Sequence, residues 1–570
     1  MDKPWLQHYD EGVPPVLDFP EQPLDRFLAD SARKHPDHVA MIFGARVGSR
    51  LLDAKIRYGE LDALVDRFAA GLQAMGVGPG DRVAIMLPNC PQFVIAAYAT
   101  WRIGAVVVCC NPLYVEREVA HLLTDSGAKV MVVMSALVER VRKVRADTPL
   151  ERMIVTNVKE YFPRMLRWLF TLTKEKKEGH RVDISGDAGA TWFQDVLRSA
   201  PERPSALYVD PESVATLIYT GGTTGGPKGA QLTHRNLVSN AFILNVWAHA
   251  RPAGEVLISV MPFFHSYGLT VGINTPIAYA GTTVLIPNPR DLQHSLLAIQ
   301  KHKATFFPAI PTIFTALNNL PELDQFDLSS LRFAPSGAAP LPPEVQQRFE
   351  QITGCRMVEA YGLTETSPTA TMDPVGKPRA HSIGIPIPNT DVRIVASEDV
   401  TQELPVGEVG EIAIKGPQVM KGYWNLPDET AHAMRRGPDG EEGWFFSGDM
   451  GFMDEDGYFH IADRKKDMII AGGYNIYPTE VEAVLFEHPA ILEAAVIGVP
   501  HEKRGETVKA FVVLHEGQTA DPDEIMEFCR ERMAAYKIPR QVAFRDELPK
   551  SIIGKVLRRE LREPEAGEEA

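Results

Sequence analysis

Residues 219–229 read YTGGTTGGPKG, and they follow an apolar run from Val214 to Tyr219 that is typical of a strand. A helix is predicted from Thr233 onward. Glycines in such a turn let backbone N–H groups approach a ligand closely, threonine hydroxyls add donors that can also reach a metal ion, and Lys228 supplies positive charge. A turn of this composition between a strand and a helix indicates a phosphate-binding loop.

The spacing of this loop differs from that of a Walker-type loop. In the Walker pattern a glycine precedes the lysine, and a serine or threonine follows it. Here Pro227 precedes Lys228 and Gly229 follows it, so the sequence argues against a P-loop nucleotide hydrolase. A flexible surface loop is the alternative, but the flanking strand and helix favour a ligand site.

Short apolar strands alternate with helices on both sides of this loop. The pattern predicts an α/β fold, with βαβαβ units in a parallel sheet that helices cover on both faces. Ligands usually bind such sheets at the carboxyl ends of the strands. Strands are predicted at residues 81–87, 105–110, 129–134, 282–286, 305–309 and 356–360, and helices at 91–102 and 116–124.

The C-terminal part of the sequence predicts two smaller regions. Short alternating strands from about residue 391, such as 392–395 and 411–414, indicate a β subdomain. The charged run DRKKD at 463–467 is the predicted boundary between a large domain, 1–463, and a small α+β domain, 464–570. Strands are predicted there at 468–470, 494–498 and 509–514, helices at 479–486 and 522–533, and a frayed acidic tail at 563–570.

The composition is that of an ordinary globular protein. The 570 residues are 45% hydrophobic and 23% charged, with a net charge of −15, which excludes wholesale disorder and disfavours nucleic acid as a partner. No secretory signal is visible at the start, and residues 93–110 predict a buried helix and strand rather than a membrane span. We expect a cytoplasmic protein without disulfides or zinc, because the cysteines lack CxxC spacing: Cys90, Cys109, Cys110, Cys355 and Cys529.

The loop is one of an ordered series of motifs. TGGTTGGPKG resembles the phosphate loop of the adenylate-forming superfamily, which includes acyl-CoA synthetases, luciferases and peptide-synthetase adenylation domains. Within that superfamily, the motif sequences are most similar to those of bacterial long-chain fatty acid CoA ligases. The resemblance extends from about residue 23 to 561. The other motifs are MPFFHSYG at 261–268, SGAAPL at 336–341, EAYGLTET at 359–366, GWFFSGDMG at 443–451, DRKKDMIIAGGYNIYPTEVE at 463–482 and PKSIIGKVLRREL at 549–561.

This resemblance implies a ligase that converts a fatty acid, medium- to long-chain, to acyl-AMP and pyrophosphate, and then transfers the acyl group to CoA. ATP, Mg²⁺ and CoA are the implied cofactor and co-substrates. Lys228 and the loop would hold the triphosphate, and Thr220 and Glu365 would position Mg²⁺, which prefers oxygen ligands. The remaining implied ATP and AMP contacts are Gly221, Gly222, Thr223, Thr224, Gly337, Ala338, Glu359, Tyr361, Gly362, Thr364, Asp449 and Arg464.

The resemblance also assigns roles in the C-terminal region. Lys555 would reach the acyl carboxylate and the α-phosphate during adenylation. Lys466 would be the hinge about which the small domain moves, and Gly472 and Gly473 would line the CoA channel, where lack of bulk lets a thin thiol arm pass. Ile470 is a departure, because many relatives have a lysine there, so no catalytic role is assigned to it.

His265 lies among aromatic residues in MPFFHSYG, and the resemblance implies that it gates the acyl pocket; a packed core histidine is the alternative. The segment contains no aspartate to bind an amine, which argues against an amino acid substrate. An aryl-acid or oxidative relative is the nearest enzyme alternative. An inactive nucleotide or acyl-CoA sensor is the alternative from another class, and the joint presence of Lys228, Glu365, Asp449 and Lys555 argues against it.

Residues 161–177, YFPRMLRWLFTLTKEKK, predict an amphipathic helix. Its apolar positions recur at helical spacing, and basic residues outnumber acidic ones in an otherwise acidic chain. Two interpretations stay open: peripheral contact with the inner face of a membrane, or packing of the apolar face against the protein.

Overall fold

The computed structural model describes residues 3–220, 227–464, 467–471, 474–501, 505–550 and 556–562. The chain divides into two compact units. One consists of Trp5–Asp391 and Lys415–Ala433, and the other of the described parts of Met1–Pro4, Val392–Ile414 and Met434–Ala570. The α/β class, with a large N-terminal and a small C-terminal domain, is confirmed, whereas the boundary predicted at 463/464 stays a prediction.

Strands contribute to both units. In chain order they are β1 Val39–Val47, β2 Arg50–Arg57, β3 Arg82–Met86, β4 Val106–Cys109, β5 Val130–Met134, β6 Arg152–Thr156, β7 Ala190–Trp192, β8 Val214–Thr220, β9 Lys228–Thr233, β10 Val256–Ser259, β11 Thr282–Leu285, β12 Phe333–Ser336, β13 Arg356–Gly362, β14 Thr369–Met372, β15 Ile385–Pro386, β16 Asp391–Val395, β17 Gly410–Lys415, β18 Gly422–Tyr423, β19 Met434–Arg435, β20 Trp444–Met453, β21 Phe459–Arg464, β22 Ile469–Ala471, β23 Tyr474–Ile476, β24 Ile491–His501, β25 Gly505–Leu514 and β26 Gln541–Phe544.

The α-helices lie mostly between these strands. They are α1 Arg26–Lys34, α2 Tyr58–Ala74, α3 Pro91–Arg102, α4 Glu116–Ser126, α5 Val138–Arg145, α6 Arg164–Thr173, α7 Phe193–Ser199, α8 His234–Trp247, α9 Ser266–Leu269, α10 Thr275–Ala278, α11 Leu292–His302, α12 Pro311–Asn318, α13 Pro343–Thr353, α14 Pro427–Ala433, α15 Pro478–Phe486, α16 Pro522–Arg530 and α17 Arg558–Arg562. Within the described residues, no helix is long and apolar enough to cross a membrane.

The central sheet of the larger unit has eight strands in the order β18-β9-β8-β4-β3-β5-β6-β7. The strands from β8 to β7 run parallel. The apolar strands β4 and β5 are buried along their whole length, as expected for a sheet that helices cover on both faces. Residues 93–110 form most of α3 and all of β4, so the prediction of a buried helix and strand is confirmed.

Two further sheets complete this unit. One has the order β10-β11-β1-β2, and the other has the order β12-β13-β14-β15. The parallel pair β12 and β13 aligns Ser336 with Glu359. The SGAAPL and EAYGLTET motifs therefore begin at the same carboxyl edge, which is where a parallel sheet binds its ligands.

The second unit contains two sheets of its own. The sheet β16-β17-β20-β19, with β21 paired to β20, is the predicted β subdomain. The sheet β23-β22-β25-β24, with β26 beside β25, packs against α15 and α16 around an apolar core that includes Val481, Leu485 and Ile525. This second sheet has the predicted α+β pattern.

Three predictions of local structure were wrong. The phosphate loop does not join a strand to a helix: it joins β8 to the antiparallel strand β9, and α8 begins only at His234. The strand predicted at 305–309 forms only isolated bridges at Phe306 and Ala309, because Pro308 between them has no N–H to donate. The helix predicted at 522–533 ends at Arg530, where the following N–H groups turn back onto the carbonyl of Cys529.

All five cysteines are buried and free. Burial raises the pKa of Cys90 to about 12 and that of Cys355 to about 11, so these thiols stay protonated at neutral pH.

Candidate active site

The candidate site begins at the β8–β9 hairpin. Thr220 ends β8, Lys228 begins β9, and the two residues lie opposite each other in the strand register. Thr220 Oγ1 donates to the carbonyl of Lys228 at 3.4 Å. Gly221, Gly222, Thr223 and Thr224 lie outside the described residues. The hairpin therefore places the residues that flank the predicted loop, Thr220 and Lys228, at the carboxyl edge of the central sheet.

Lys228 contacts a segment from a distant part of the chain. Its ammonium group forms an ion pair with Glu429, and it lies 5.4 Å from the centroid of the Tyr423 ring. Tyr423 belongs to β18, whose backbone pairs with β9 so that Tyr423 lies opposite Ala230. The lysine is thus held over an aromatic face, an arrangement that favours a cation.

The same tyrosine contacts Glu365. The Tyr423 hydroxyl donates to Glu365 Oε1 at 2.8 Å, and the N–H of Met420 donates to the backbone carbonyl of Glu365, also at 2.8 Å. Glu365 is buried in a short helical turn, Thr364–Thr366. Burial and the adjacent carboxylate raise the pKa of Tyr423 well above its usual range, so its hydroxyl stays a donor at neutral pH.

Thr220 and Glu365 supply oxygen atoms, which are the ligands that Mg²⁺ prefers. Across the ranges that the structure describes, no group of three or more His, Cys, Asp or Glu side chains could hold a metal ion. This donor set fits Mg²⁺ in the form in which it usually accompanies nucleotides, with one or two protein oxygens and the rest from phosphate and water.

The predicted adenine contacts lie at the carboxyl ends of β12 and β13. Gly337 directly follows β12, and a Cβ atom there would lie 3.2 Å from the carbonyl oxygen of Ala360. Tyr361 and Gly362 end β13, and Thr364 is buried in the turn that follows. Ala338, beside Gly337, has a left-handed backbone with φ 70°. The lack of a side chain at Gly337 therefore permits the close approach of the chain after β12 to β13, and the adenine contacts stay a prediction.

Glu359 is buried beside a second carboxyl group, that of Asp373. The N–H of Glu359 donates to Asp373 Oδ2 at 3.2 Å, and the N–H of Asp373 donates to the carbonyl of Glu359 at 2.9 Å. Burial, with the nearby Asp373 charge, raises the pKa of Glu359 well above its usual range. Burial also raises the pKa of Asp373 to about 7. At neutral pH a proton is therefore retained in this pair, and a protonated carboxyl can donate as well as accept.

His265 precedes α9, and its Nδ1 accepts the N–H of Tyr267 at 3.3 Å. Burial lowers the pKa of His265 to about 4, so the ring is neutral at neutral pH. The Tyr267 hydroxyl donates to the carbonyl of Pro335 in β12 at 2.9 Å. This segment therefore adjoins the strand that carries SGAAPL. Its role as a gate to the acyl pocket stays a prediction.

The second unit holds the other predicted residues. Asp449 is buried in β20 and lies opposite Arg464 of β21 in the strand register. The backbone N–H of Asp449 donates to the Ser447 hydroxyl at 3.1 Å. The side chain of Arg464 lies outside the described part of the chain. So do the residues Lys466, Gly472, Gly473 and Lys555.

Sequence reasoning missed Tyr423 and Glu429. They lie in GYWNLPDET, a stretch whose composition indicates only a turn before a short helix. The pairing of β18 with β9 brings this stretch to Lys228, and no local pattern predicts that pairing. Since the sequence predicted no strand at 228–233, the predicted fold offered no unpaired strand edge that could have indicated this partner.

Family models match most of the chain. Residues 28–424 match the model described as AMP-binding enzyme, and residues 480–555 match the model described as AMP-binding enzyme C-terminal domain. The chain belongs to the AMP-binding enzyme family. Membership of the adenylate-forming superfamily, which the motif series predicted, is thus confirmed.

Two relatives align with the chain over nearly its whole length. A long-chain-fatty-acid–CoA ligase of Bacillus subtilis is 44% identical over 569 residues, covering 99% of this chain and 98% of the relative. A long-chain-fatty-acid–CoA ligase of Yersinia pestis is 38% identical over 579 residues, covering 99% of this chain and 98% of the relative.

Solved structures of AMP-binding enzymes share the fold. ATP-bound MatB from Rhodopseudomonas palustris has a TM-score of 0.81 and 30% identity, covering 94% of this chain and 98% of that one. A Mycobacterium tuberculosis fatty acyl CoA synthetase has a TM-score of 0.70 and 29% identity, covering 95% of this chain and 97% of that one.

Proposed function

We propose that this chain is an ATP-dependent fatty acid CoA ligase. In the first step the fatty acid carboxylate attacks the α-phosphorus of ATP, and the bond to pyrophosphate breaks. In the second step the CoA thiol, having lost its proton, attacks the acyl carbonyl, and AMP leaves. The observation that carries the proposal is the contact of Lys228 and Glu365 with one tyrosine at the carboxyl edge of the sheet.

The first step brings two anions together, so the site must neutralise charge before it can align the reacting atoms. Lys228 provides a cation at the base of the hairpin, and its ion pair with the Glu429 carboxylate supports a role in binding an oxyanion. Lys555 would add a second cation by the family pattern. With both lysines near the α-phosphate, repulsion of the incoming carboxylate would fall.

Mg²⁺, when bound, would neutralise phosphate charge, and Thr220 and Glu365 would be its protein ligands. The hydrogen bond from Tyr423 to Glu365 fixes the orientation of this carboxylate. On the other side of the nucleotide, Gly337, Tyr361 and the protonated pair Glu359 and Asp373 would frame the adenine. Asp449 would accept the ribose hydroxyls, with Arg464 beside it.

The acyl group is proposed to be a medium- to long-chain fatty acid. The fold alone does not determine the class of acid, because the solved structures that share this fold include a benzoate CoA ligase at 25% identity. Support comes from the full-length relatives named as long-chain ligases and from FFHSYG, which offers no aspartate for an amine. CoA is the proposed acceptor of the acyl group because these relatives are named as CoA ligases.

A substrate panel tests the proposal. Acids from acetate through palmitate, with coumarate as the aryl comparison, are supplied with ATP and Mg²⁺, and AMP formation is measured with and without CoA. We expect the longer fatty acids to exceed coumarate by at least about tenfold in kcat/KM, which corresponds to about 1.4 kcal/mol. Faster turnover of coumarate would favour an aryl-acid ligase, and absence of pyrophosphate release with every acid would favour a sensor.

A peripheral membrane contact through residues 161–177 is a second proposal for this chain, separate from its chemistry. Long-chain fatty acids partition into bilayers, so an enzyme that uses them would gain access to substrate there. The cell compartment proposed for this activity is the cytoplasm, at the inner face of the membrane.

A further inference from the structure

Helix α6, Arg164–Thr173, is anchored to the protein along one side only. Leu166 and Phe170 are buried, and the ring of Phe162 just before the helix stacks on Phe43 with centroids 5.2 Å apart. Phe170 also meets the ring of His180 edge to face at 5.5 Å. These contacts fix the orientation of the helix and therefore fix which of its residues point to solvent.

The solvent side of α6 is also apolar. Met165, Trp168 and Leu172 are 58%, 63% and 64% exposed, and their spacing puts them on one side of the helix. The ring of Trp168 is a large apolar surface in contact with water. Together with Met165 and Leu172 it forms an unpartnered apolar face. The apolar surface of α6 thus exceeds what the protein covers.

Basic side chains surround this face in an acidic protein. The exposed basic residues of the segment are Arg164, Arg167, Lys174, Lys176 and Lys177. Residues 159–178, all described, contain three carboxylates: Glu160 is partly buried, Glu175 is buried and forms an ion pair with Lys159 at 2.5 Å, and Glu178 is exposed beside Lys174. The chain as a whole has a net charge of −15, so a positive patch here favours an anionic partner.

We propose that the Met165, Trp168 and Leu172 face of α6 docks onto an anionic lipid surface. Apolar side chains would enter the acyl boundary, tryptophan would lie at the interface, and the lysines and arginines would contact lipid phosphates. Helix α6 follows β6 at the carboxyl edge of the central sheet, and β8 ends at that edge with Thr220. Docking would therefore bring the edge that carries the candidate site towards the lipid that dissolves its acyl substrate.

Sedimentation of the full chain with vesicles tests this inference. The vesicles contain phosphatidylcholine alone or with phosphatidylglycerol, at about 0.01 M and about 1 M salt, where the screening length falls from about 30 to about 3 Å. We expect binding only to the phosphatidylglycerol vesicles, and release at high salt. The triple variants M165S/W168S/L172S and R164E/R167E/K174E should each reduce the partition coefficient at least about tenfold.

Control variants change equivalent side chains elsewhere on the surface. Y208S removes an aromatic ring that is 82% exposed, and K55E/R348E reverses two exposed charges; both should bind vesicles like the parent protein. Melting temperature and ligase activity on a soluble medium-chain acid should be unchanged in all four variants, which separates loss of docking from misfolding and from any failure of the proposed chemistry. No binding at low salt, or equal binding by parent and α6 variants, would overturn the proposal.

Discussion

Lys228 and Glu365 are connected through Tyr423, a side chain that lies outside the motifs of both residues. The ion pair of Lys228 with Glu429 places a carboxylate where the lysine would otherwise bind phosphate. If Lys228 binds phosphate as proposed, a nucleotide would compete with Glu429 for its ammonium group. The strength of ATP binding would then depend on Glu429, a residue that would not itself touch the reacting atoms.

Replacing Glu429 by glutamine should strengthen ATP binding. The neutral amide no longer competes for Lys228, and a partly exposed ion pair contributes up to about 1 kcal/mol, so the KM for ATP should fall about two- to fivefold with little change in kcat. Steady-state kinetics at saturating fatty acid and CoA measure this. The adjacent exposed Asp428, changed to asparagine, is the matched control. A rise in KM would mean that Glu429 assists nucleotide binding.

Lys555 is expected to act in the first half-reaction. Its charge is needed while carboxylate and phosphate converge, and single preorganised charges in a transition state contribute about 3 kcal/mol, so K555A should slow acyl-AMP formation about 100-fold or more. Transfer to CoA from supplied acyl-AMP should change far less. Pyrophosphate release and acyl-CoA formation are measured separately. Equal losses in the two assays would contradict this assignment.

The carboxyl group of Asp373 should make stability depend on pH. Burial raises its pKa to about 7, above the usual value near 4, so the folded protein holds a proton that the unfolded chain releases between these values. The contribution of Asp373 to stability should therefore fall as pH rises from about 4 to 7 and change little above that. D373N cannot ionise, and it should lose less stability than the parent between pH 5 and 8, by at least about 1 kcal/mol.

Urea unfolding at the two pH values measures this difference. The control is D327N: Lys303 and Ser329 hold the pKa of Asp327 at about 2, so this carboxylate is charged throughout the window. D327N should therefore show the same pH dependence as the parent. A pH dependence of D373N that matched the parent would mean that Asp373 is ionised in the folded protein.

At the scale of elements, Asn236 in the first turn of α8 connects the helix to the segment before β18. Its Oδ1 accepts the N–H of Thr233, and its Nδ2 donates to the carbonyls of Pro417 and Val419 at 2.7 and 2.8 Å. Because β18 carries Tyr423, this one amide helps to hold the segment that contacts Lys228.

N236A should both destabilise the protein and weaken ATP binding. It leaves two carbonyls without their side-chain donor, at a cost of about 2–4 kcal/mol, and it loosens the segment before β18. The control T233A removes the cap bond from the N–H of Asn236, 3.1 Å long, which contributes about 1 kcal/mol, and leaves residues 417–419 anchored. Urea midpoints and the KM for ATP measure both effects. If T233A and N236A raise the KM equally, anchoring of the segment is not the cause.

Elements could be predicted where the local pattern reflects burial. Strands β4 and β5, and β3 after Arg82, are apolar because both sheet faces are covered, and α3 matches its predicted bounds of 91–102. The hairpin at Lys228 was misassigned because β9, KGAQLT, has a weak alternating pattern, whereas the cap at Thr233 correctly indicated the start of α8. The contacts of Tyr423 could not be predicted, since they depend on pairing between segments far apart in sequence.

At the scale of the whole molecule, the motif series predicts two half-reactions and a C-terminal domain that moves between them. The residues that the motif series assigns to the ATP site are divided between the two compact units: Lys228 and Glu365 belong to one, and Asp449 belongs to the other. The predicted pivot, Lys466, lies outside the described residues.

K466P should separate the two half-reactions. Proline fixes φ and removes an N–H, so a pivot that works by changing backbone dihedral angles would be blocked, whereas side-chain changes such as K466A would be tolerated. We expect K466P to form acyl-AMP at close to the parent rate and to form acyl-CoA at least about tenfold more slowly. Single-turnover assays of each step measure this. Normal acyl-CoA formation by K466P would place the pivot elsewhere.

The pairing of β18 with β9 has a consequence for synthesis on the ribosome. Strand β9 ends at Thr233, but its outer neighbour begins at Gly422. At about 5–20 residues per second, the roughly 190 intervening residues take about 10–40 s to emerge. During that interval the nascent chain exposes an unpaired strand edge beside its glycine-rich loop. Folding of this chain should therefore depend more on co-translational chaperones than folding of a chain whose paired strands are neighbours in sequence.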